Sequence, residues 1–236
     1  MTRVSIIIPA YNEELLLGAT LRALQDGTAA LGVPAEFIVV DDGSTDRTAA
    51  IARELGARVV AVQLRHIAAA RNAGARTADG DVLIFVDADT IVPARVLGAA
   101  LQALDAGAVG GGAGVVQDSD DPKWGVVALA IATWILRQAK WAAGCFFFVR
   151  RDVFERVGGF DERYFASEEI HLSRAVKKHG RFVILNDTVI TSGRKARMFR
   201  ARTVFLQFAA ALWPSTLKRR DRLGYWYGGE REKGPQ

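Results

Sequence analysis

Cysteine is almost absent from this chain of 236 residues; Cys145 is the only one. A lone thiol makes no intrachain disulfide, which excludes a disulfide-stapled secreted scaffold and any zinc site built from several cysteines. Its neighbours Phe146, Phe147, Phe148 and Val149 are apolar, so Cys145 reads as a small buried hydrophobe and not as a nucleophile. Proline is sparse at 6, and histidine sparser at 3. Long apolar runs are missing: the longest uncharged stretch, 125–136, is about a dozen residues, where about 20 are needed to span a bilayer. The opening residues 1–8 read as a strand with no cleavage-site pattern after them, so the expectation is a cytoplasmic chain without a secretory leader. No glycine fingerprint follows the first strand, where Pro9-Ala10-Tyr11-Asn12 stands instead, and that excludes a nicotinamide-dependent oxidoreductase. A nucleotidyltransferase, which carries a Gly-rich basic loop at the same place, is set aside for the same reason.

What is present alternates between strand and helix. Residues 4–8 form a β-branched run suited to a strand buried on both faces. A helix is expected from about 13 to 31, with Leu16, Leu17, Leu21, Leu24 and Leu31 near helical spacing. Strands follow at 37–40, 59–62 and 82–86, and helices at about 45–55 and 67–76, the former capped by Ser44 or Thr45. This order implies a parallel sheet with helices on its faces and all strand C-terminal ends on one edge, where ligands bind in such sheets. The polar clusters fall at those ends: Tyr11 and Asn12, then Asp41 and Asp42, then Asp87 and Asp89. Beyond them lie a glycine-rich strand at 109–116, a helix at 124–139, a strand at 145–149, a helix at 168–179, and short strands at 181–185 and 188–191. Glycine in such a strand marks close approach of a ligand or of another backbone. No repeat or linker interrupts the chain, so it is assigned one domain with a C-terminal extension.

The carboxylates indicate a chemistry. Asp87 and Asp89 at one strand end repel, and a hard divalent cation taking one or two carboxylates plus phosphate oxygens would relieve that repulsion. Asp41 and Asp42, in Asp41-Asp42-Gly43-Ser44-Thr45-Asp46, suit ribose hydroxyls or a base N–H, and equally suit a turn and helix cap.

Six segments occur in a characteristic order: Val4-Ser5-Ile6-Ile7-Ile8-Pro9-Ala10-Tyr11-Asn12-Glu13, Val39-Val40-Asp41-Asp42-Gly43-Ser44-Thr45-Asp46, Ala70-Arg71-Asn72-Ala73-Gly74, Phe85-Val86-Asp87-Ala88-Asp89, Gly158-Gly159-Phe160-Asp161-Glu162 and Glu168-Glu169. Together they resemble the family 2 glycosyltransferases, inverting enzymes of the GT-A fold. The resemblance implies an α/β GT-A domain over 1–193, with a mostly parallel Rossmann-like sheet flanked by helices. Within it 1–90 is the nucleotide-binding half and 91–193 the acceptor and catalytic half, with 194–236 a C-terminal helical extension. It implies a nucleotide-sugar donor, a UDP-sugar by default with GDP and dTDP as alternatives, and Mg²⁺ or Mn²⁺ on Asp89 bridging the diphosphate. Tyr11 is expected to stack on the nucleobase and Asp42 to accept from its N–H. Arg71 is expected to face base or phosphates, and Asp87 to approach ribose or metal. Pro9, Glu13 and Asp41 are expected to line the same pocket.

In that family an acidic pair opens a helix, and its second member deprotonates the acceptor hydroxyl. Here the pair is Glu168-Glu169, with Glu169 as candidate base where the family usually has Asp. The longer side chain leaves a second reading open, a nucleotide-sugar-binding protein of the same fold that has lost its base. His171 stands where an acid often follows the pair and is expected to be packed or exposed. No histidine occurs in 189–195, where the family often completes its metal site, so Arg194 or Lys195 is left to assist the diphosphate. The motif of processive synthases is absent, Gln138-Ala139-Lys140-Trp141 having the wrong spacing and position, so single-sugar transfer is expected.

The net charge of +5 is concentrated late in the chain. Arg194, Lys195, Arg197, Arg200, Arg202, Lys218, Arg219, Arg220 and Arg222 face one acid, Asp221, around an apolar helix expected at 199–212. Two readings stand: an interfacial segment beside anionic lipid, serving a lipid-linked acceptor, or an apolar face that docks on the sheet or on a second subunit as a homodimer. The basic run is the sole argument for nucleic acid, and no nucleic-acid partner is assigned.

Overall fold

The computed structural model of the chain describes residues 2–118, 133–135 and 137–193. Most of the helix expected at 124–139 lies outside these residues, although 133–135 and 137–139 are helical. The basic extension from Arg194, with its expected helix, lies outside them entirely.

The elements run β1 (Val4–Ala10), α1 (Leu17–Ala30), β2 (Ala35–Asp41), α2 (Thr48–Glu54), β3 (Arg58–Ala61), α3 (Ile67–Thr77), β4 (Val82–Val86), β5 (Thr90–Ile91), α4 (Ala94–Asp105), β6 (Ala108–Gln117), β7 (Phe146–Arg150), α5 (Arg151–Arg156), α6 (Glu168–Val176), a 3₁₀ turn (Lys177–His179) and β8 (Arg181–Thr191). The described strands form one sheet in the order β3-β2-β1-β4-β7-β6-β8-β5. Strands β1 to β4 pair in parallel, as the βα alternation predicts. Strand β7 runs antiparallel to both β4 and β6, so its N-terminal end arrives at the edge where β1, β2 and β4 end.

Period-two alternation divides the core between the sheet's faces. Ile6, Ile8, Val39, Ile84, Phe146 and Phe148 point to one face, where α1 and α4 add Leu17, Leu21, Leu24, Val96 and Leu97. Ile7, Ile38, Val40, Phe85 and Phe147 point to the other, against Ala70 and Ala73 of α3, Phe154 of α5 and Leu172 of α6. Each fully buried Leu, Ile or Phe contributes about 1.5–3 kcal/mol. Against that, a cap is worth about 1 kcal/mol, so the three-layer packing carries the fold.

The glycines of β6 resolve the choice left open above. A side chain on Gly111 would meet the Val183 carbonyl oxygen and, at 2.5 Å, Phe148, while one on Gly112 would meet Ala142 at 2.5 Å. Protein, not ligand, approaches there. The two short late strands prove to be one, β8, paired in parallel with β6; its register slips between Gly112–Ile184 and Gly114–Thr188 so that the polar Asn186-Asp187 is absorbed in a bulge.

Gly74 brings α3 close to the sheet. A Cβ there would collide with Ile7 Cγ2 and lie 2.8 Å from Val40 Cγ2. Gly74→Ala is therefore expected to lower stability by about 1–3 kcal/mol through overpacking, although alanine gains about 1 kcal/mol over glycine in a helix. A denaturant midpoint that rises instead would show that the helix does not need this close approach.

Candidate active site

A cavity of about 300 Å³ opens at the sheet edge formed by the ends of β1, β2 and β4. Pro9, Tyr11 and Glu13 reach it from the end of β1, Asp42 from β2, Asp87 and Asp89 from β4, Arg71 from α3, and Glu168 and Glu169 from the start of α6. Nine of the ten expected site residues thus line one cavity among the described residues. Asp41 is the exception; its Oδ1 accepts the Ser44 N–H at 3.1 Å inside the turn.

The acidic turn after β2 braces the loop after β1. Asn12 N donates to Ser44 Oγ at 2.9 Å, Glu13 N to Thr48 Oγ1 at 2.8 Å, and Thr45 N to Asn12 Oδ1 at 2.8 Å. Ser44 and Thr45 therefore do not cap α2. Asp46 Oδ1 takes the Thr48 N–H at 2.9 Å instead, because the hydroxyl of Ser44 is committed to the neighbouring loop. The first expected helix begins late for a related reason: the Glu13 carbonyl turns back the N–H groups of Leu16 and Leu17, and α1 starts at Leu17.

Asp42 holds a second loop. Its carboxylate accepts from the backbone N–H groups of Leu64 (2.5 Å), Arg65 (2.8 Å) and His66 (3.1 Å). Arg65 is held there in the left-handed region at φ 49°, and its guanidinium lies 3.4 Å over the Tyr11 ring. The ring expected to stack on a base thus carries a guanidinium on one face. Ser167, immediately before the acidic pair, is likewise left-handed at φ 62°. Such conformations cost energy and gather where surrounding structure needs a particular geometry.

Arg71 lines the cavity yet is 1% exposed, held by acids on two other elements. Its Nη1 donates to Glu168 at 2.6 Å, and its Nη2 to Asp87 Oδ1 at 2.7 Å and to the Gly144 carbonyl at 2.8 Å. Burial disfavours its charge, but Asp87, Glu168 and Glu169 outweigh that and hold the guanidinium firmly protonated. Glu168, 3% exposed, is committed to this ion pair. Glu169 is not. Burial first, then the charge of Glu168, pushes its carboxyl up to about 8, with Arg71 opposing. Burial, then Asp87 and Asp89, likewise pushes the Cys145 thiol well above its ordinary range, which disfavours the thiolate; the side chain is buried as expected. His171 stacks on Tyr164, ring centroids 3.8 Å apart, and lies outside the cavity lining.

The sequence reading passed over Arg65, His66, Gly144, Phe165 and Ser167, all of which line the cavity. The signal for Arg65 and His66 lies in their position: they precede α3 in the loop after β3, at the edge where the other parallel strands end.

Among the described residues no group of three or more His, Cys, Asp or Glu side chains could hold a metal ion unaided. Asp87 and Asp89 both present oxygen donors to the cavity, and with Glu168 and Glu169 they outnumber the charge of Arg71. That donor set fits Mg²⁺ or Mn²⁺ held by one or two carboxylates with further oxygens from a substrate.

A sheet of this topology, with acidic strand ends converging on a cavity opposite an acidic helix start, defines a GT-A glycosyltransferase fold. Residues 5–158 match the family described as Glycosyl transferase family 2, and the chain belongs to that family. It is 37% identical over 116 residues to the undecaprenyl-phosphate 4-deoxy-4-formamido-L-arabinose transferase of Edwardsiella ictaluri, covering 44% of this chain and 34% of that protein. It is 28% identical over 194 residues to the probable glycosyltransferase YdaM of Bacillus subtilis, covering 71% of this chain and 45% of that one. The chain thus spans about a third to under half of the length of these relatives. The mannosyltransferase PcManGT of Pyrobaculum calidifontis, solved with GDP-Man and Mn²⁺, superposes with a TM-score of 0.65 at 25% identity, over 89% of this chain and 61% of that one. Residues 1–349 of S. aureus TarS, solved with UDP-GlcNAc, share the fold at TM-score 0.62 and 18% identity, over 80% of this chain and 58% of that one.

Proposed function

We propose that this chain transfers a single sugar from a nucleotide-diphosphate donor to an acceptor hydroxyl with inversion at the anomeric carbon. The observation that carries this reading is the division of labour in the acidic pair. Glu168 is tied to Arg71, whereas Glu169 faces the same cavity with a carboxyl disposed to take up a proton near neutral pH. Glu168 is accordingly a positioning residue and Glu169 the base. The acceptor oxygen attacks the anomeric carbon opposite the departing diphosphate, the bond to the phosphate oxygen breaks, and the hydroxyl proton passes to Glu169. Tyr11 and the loop pinned by Asp42 face the nucleotide, and Asp87 and Asp89 face its diphosphate. Asp89 would hold Mg²⁺ or Mn²⁺, which neutralises charge on the leaving group.

A lipid-linked acceptor is supported by the undecaprenyl-phosphate substrate in the name of the Edwardsiella relative. No helix among the described residues is long and apolar enough to cross a membrane; the basic run of the extension supports contact with anionic lipid.

Thermal unfolding with UDP, GDP, dTDP and CDP, each with and without Mn²⁺ or Mg²⁺, tests the donor site. One nucleotide with metal at about a hundred times its Kd is expected to raise Tm by roughly 5–10 °C. Asp89→Ala is expected to abolish the metal-dependent part. No shift with any nucleotide would remove the donor-site assignment.

A further inference from the structure

His66 is 9% exposed and lines the cavity, and its two ring nitrogens have different environments. Nδ1 accepts the Ala69 N–H at 3.4 Å, capping α3. A nitrogen that accepts carries the lone pair, so the ring proton belongs on Nε2. Nε2 is buried and has no hydrogen-bond partner among the described residues. The arginines with one buried, unpaired nitrogen, Arg71, Arg137 and Arg151, satisfy other N–H groups of the same guanidinium. His66 has no such alternative: its one ring donor is unmet in the wall of a substrate cavity. Buried donors without partners are rare and costly, and each calls for an explanation.

The surroundings say which part of a donor supplies the partner. The backbone N–H of His66 is the third group held by Asp42, and His66 follows Arg65, whose guanidinium lies over the Tyr11 ring, the side of the cavity where the nucleobase is expected. We propose that His66 Nε2–H donates to a carbonyl oxygen of the donor's nucleobase, which makes it a specificity residue; this rests on the nucleotide-donor reading of the cavity given above. Nε2 is shielded from solvent, so a base reaches it only when a side chain of the cavity wall moves; Phe165 packs on the imidazole with 4.3 Å between ring centroids. Uracil, thymine, cytosine and guanine each carry a carbonyl and adenine carries none, so His66 selects against adenine.

His66→Asn separates the two nitrogens. Asparagine is a good helix cap and keeps an acceptor for the Ala69 N–H, but places nothing where Nε2 stands. Calorimetry with Mn²⁺ and UDP, GDP, dTDP, CDP or ADP, and with Mn²⁺ and inorganic pyrophosphate, reads the result. The variant is expected to keep or raise the ligand-free Tm and to bind the preferred nucleotide about tenfold more weakly, the size of one hydrogen bond. Pyrophosphate binding is expected to be unchanged, and the preference over ADP to fall by the same factor. An unchanged Kd for the preferred nucleotide would leave His66 a helix cap only and overturn the assignment. An equal loss with pyrophosphate would place the contact on phosphate and overturn the nucleobase reading. A wild-type protein that binds no nucleotide would bring down the donor cavity itself, and His66 with it.

Discussion

Glu169→Gln is expected to lower turnover by about 10²–10⁴-fold, the usual contribution of a positioned general base, while metal-dependent nucleotide binding persists. The amide keeps the size and most of the polarity of the side chain but accepts no proton. The pH dependence follows from the same cause. With its carboxyl pushed up to about 8, chiefly by burial and then by Glu168, Glu169 is in the base form only above that pH, so wild-type turnover rises through the neutral range and levels off beyond 8. Stability moves the opposite way. Between the ordinary carboxyl value of 4.5 and about 8 the folded chain holds a proton that the unfolded chain has released, so the contribution is complete at low pH and is lost as pH climbs through that window. Glutamine is neutral throughout, so the variant unfolds at a higher temperature than wild type at pH 9 and close to it at pH 4. Unfolding curves that move in parallel across that range would place the titration on another group. Turnover separates two acceptors as well. A phosphate oxygen is already anionic and needs no base, so a Glu169→Gln enzyme that stays active on a lipid phosphate but not on a hydroxyl acceptor would name the acceptor class.

The strand ends were legible because two regularities act together. A β-branched run followed by helical spacing fixes a parallel pair, and parallel pairs bring their C-terminal ends to one edge, so Tyr11, Asp42, Asp87 and Asp89 converge without any knowledge of contacts. What the chain hides is long-range. The ion pairs of Arg71 are not visible in the chain, because its partners lie 16 and 97 residues away in Asp87 and Glu168. The direction of β7 is hidden too, since its apolar residues suit either orientation; only pairing between β4 and β6 makes it antiparallel and delivers Gly144 to the cavity. The residues alone leave Asp42 between a ligand and a local turn or cap, and the three backbone N–H groups that reach it come from a different loop, 22 to 24 residues on. Helix α4 is a further element absent from the reading of the chain, although Val96, Leu97, Ala100 and Leu104 repeat at helical spacing.

Arg71→Met is expected to destabilise the fold by about 3–5 kcal/mol, the loss seen when one member of a buried ion pair is removed and the other is left uncompensated. The damage falls on both halves of the site at once. Asp87 follows the strand proposed to face the diphosphate, Glu168 opens the helix proposed to carry the base, and one guanidinium is hydrogen-bonded to both and to Gly144. Methionine fills the space but leaves two carboxylates repelling each other and Glu169. Arg71→Lys keeps the charge and tests the geometry: an ammonium on a single stem does not reproduce two N–H arms directed at acids on different elements. The lysine variant is therefore expected to recover more than half of the lost stability and little of the lost turnover. Arg71→Met/Glu168→Leu, which removes both charges, is expected to regain stability relative to Arg71→Met alone without regaining turnover, because the base helix is no longer tied to the donor strand. If the lysine variant turns over at the wild-type rate, the charge of Arg71 matters and its bridging does not, and the coupling of donor site to base helix through this side chain is wrong.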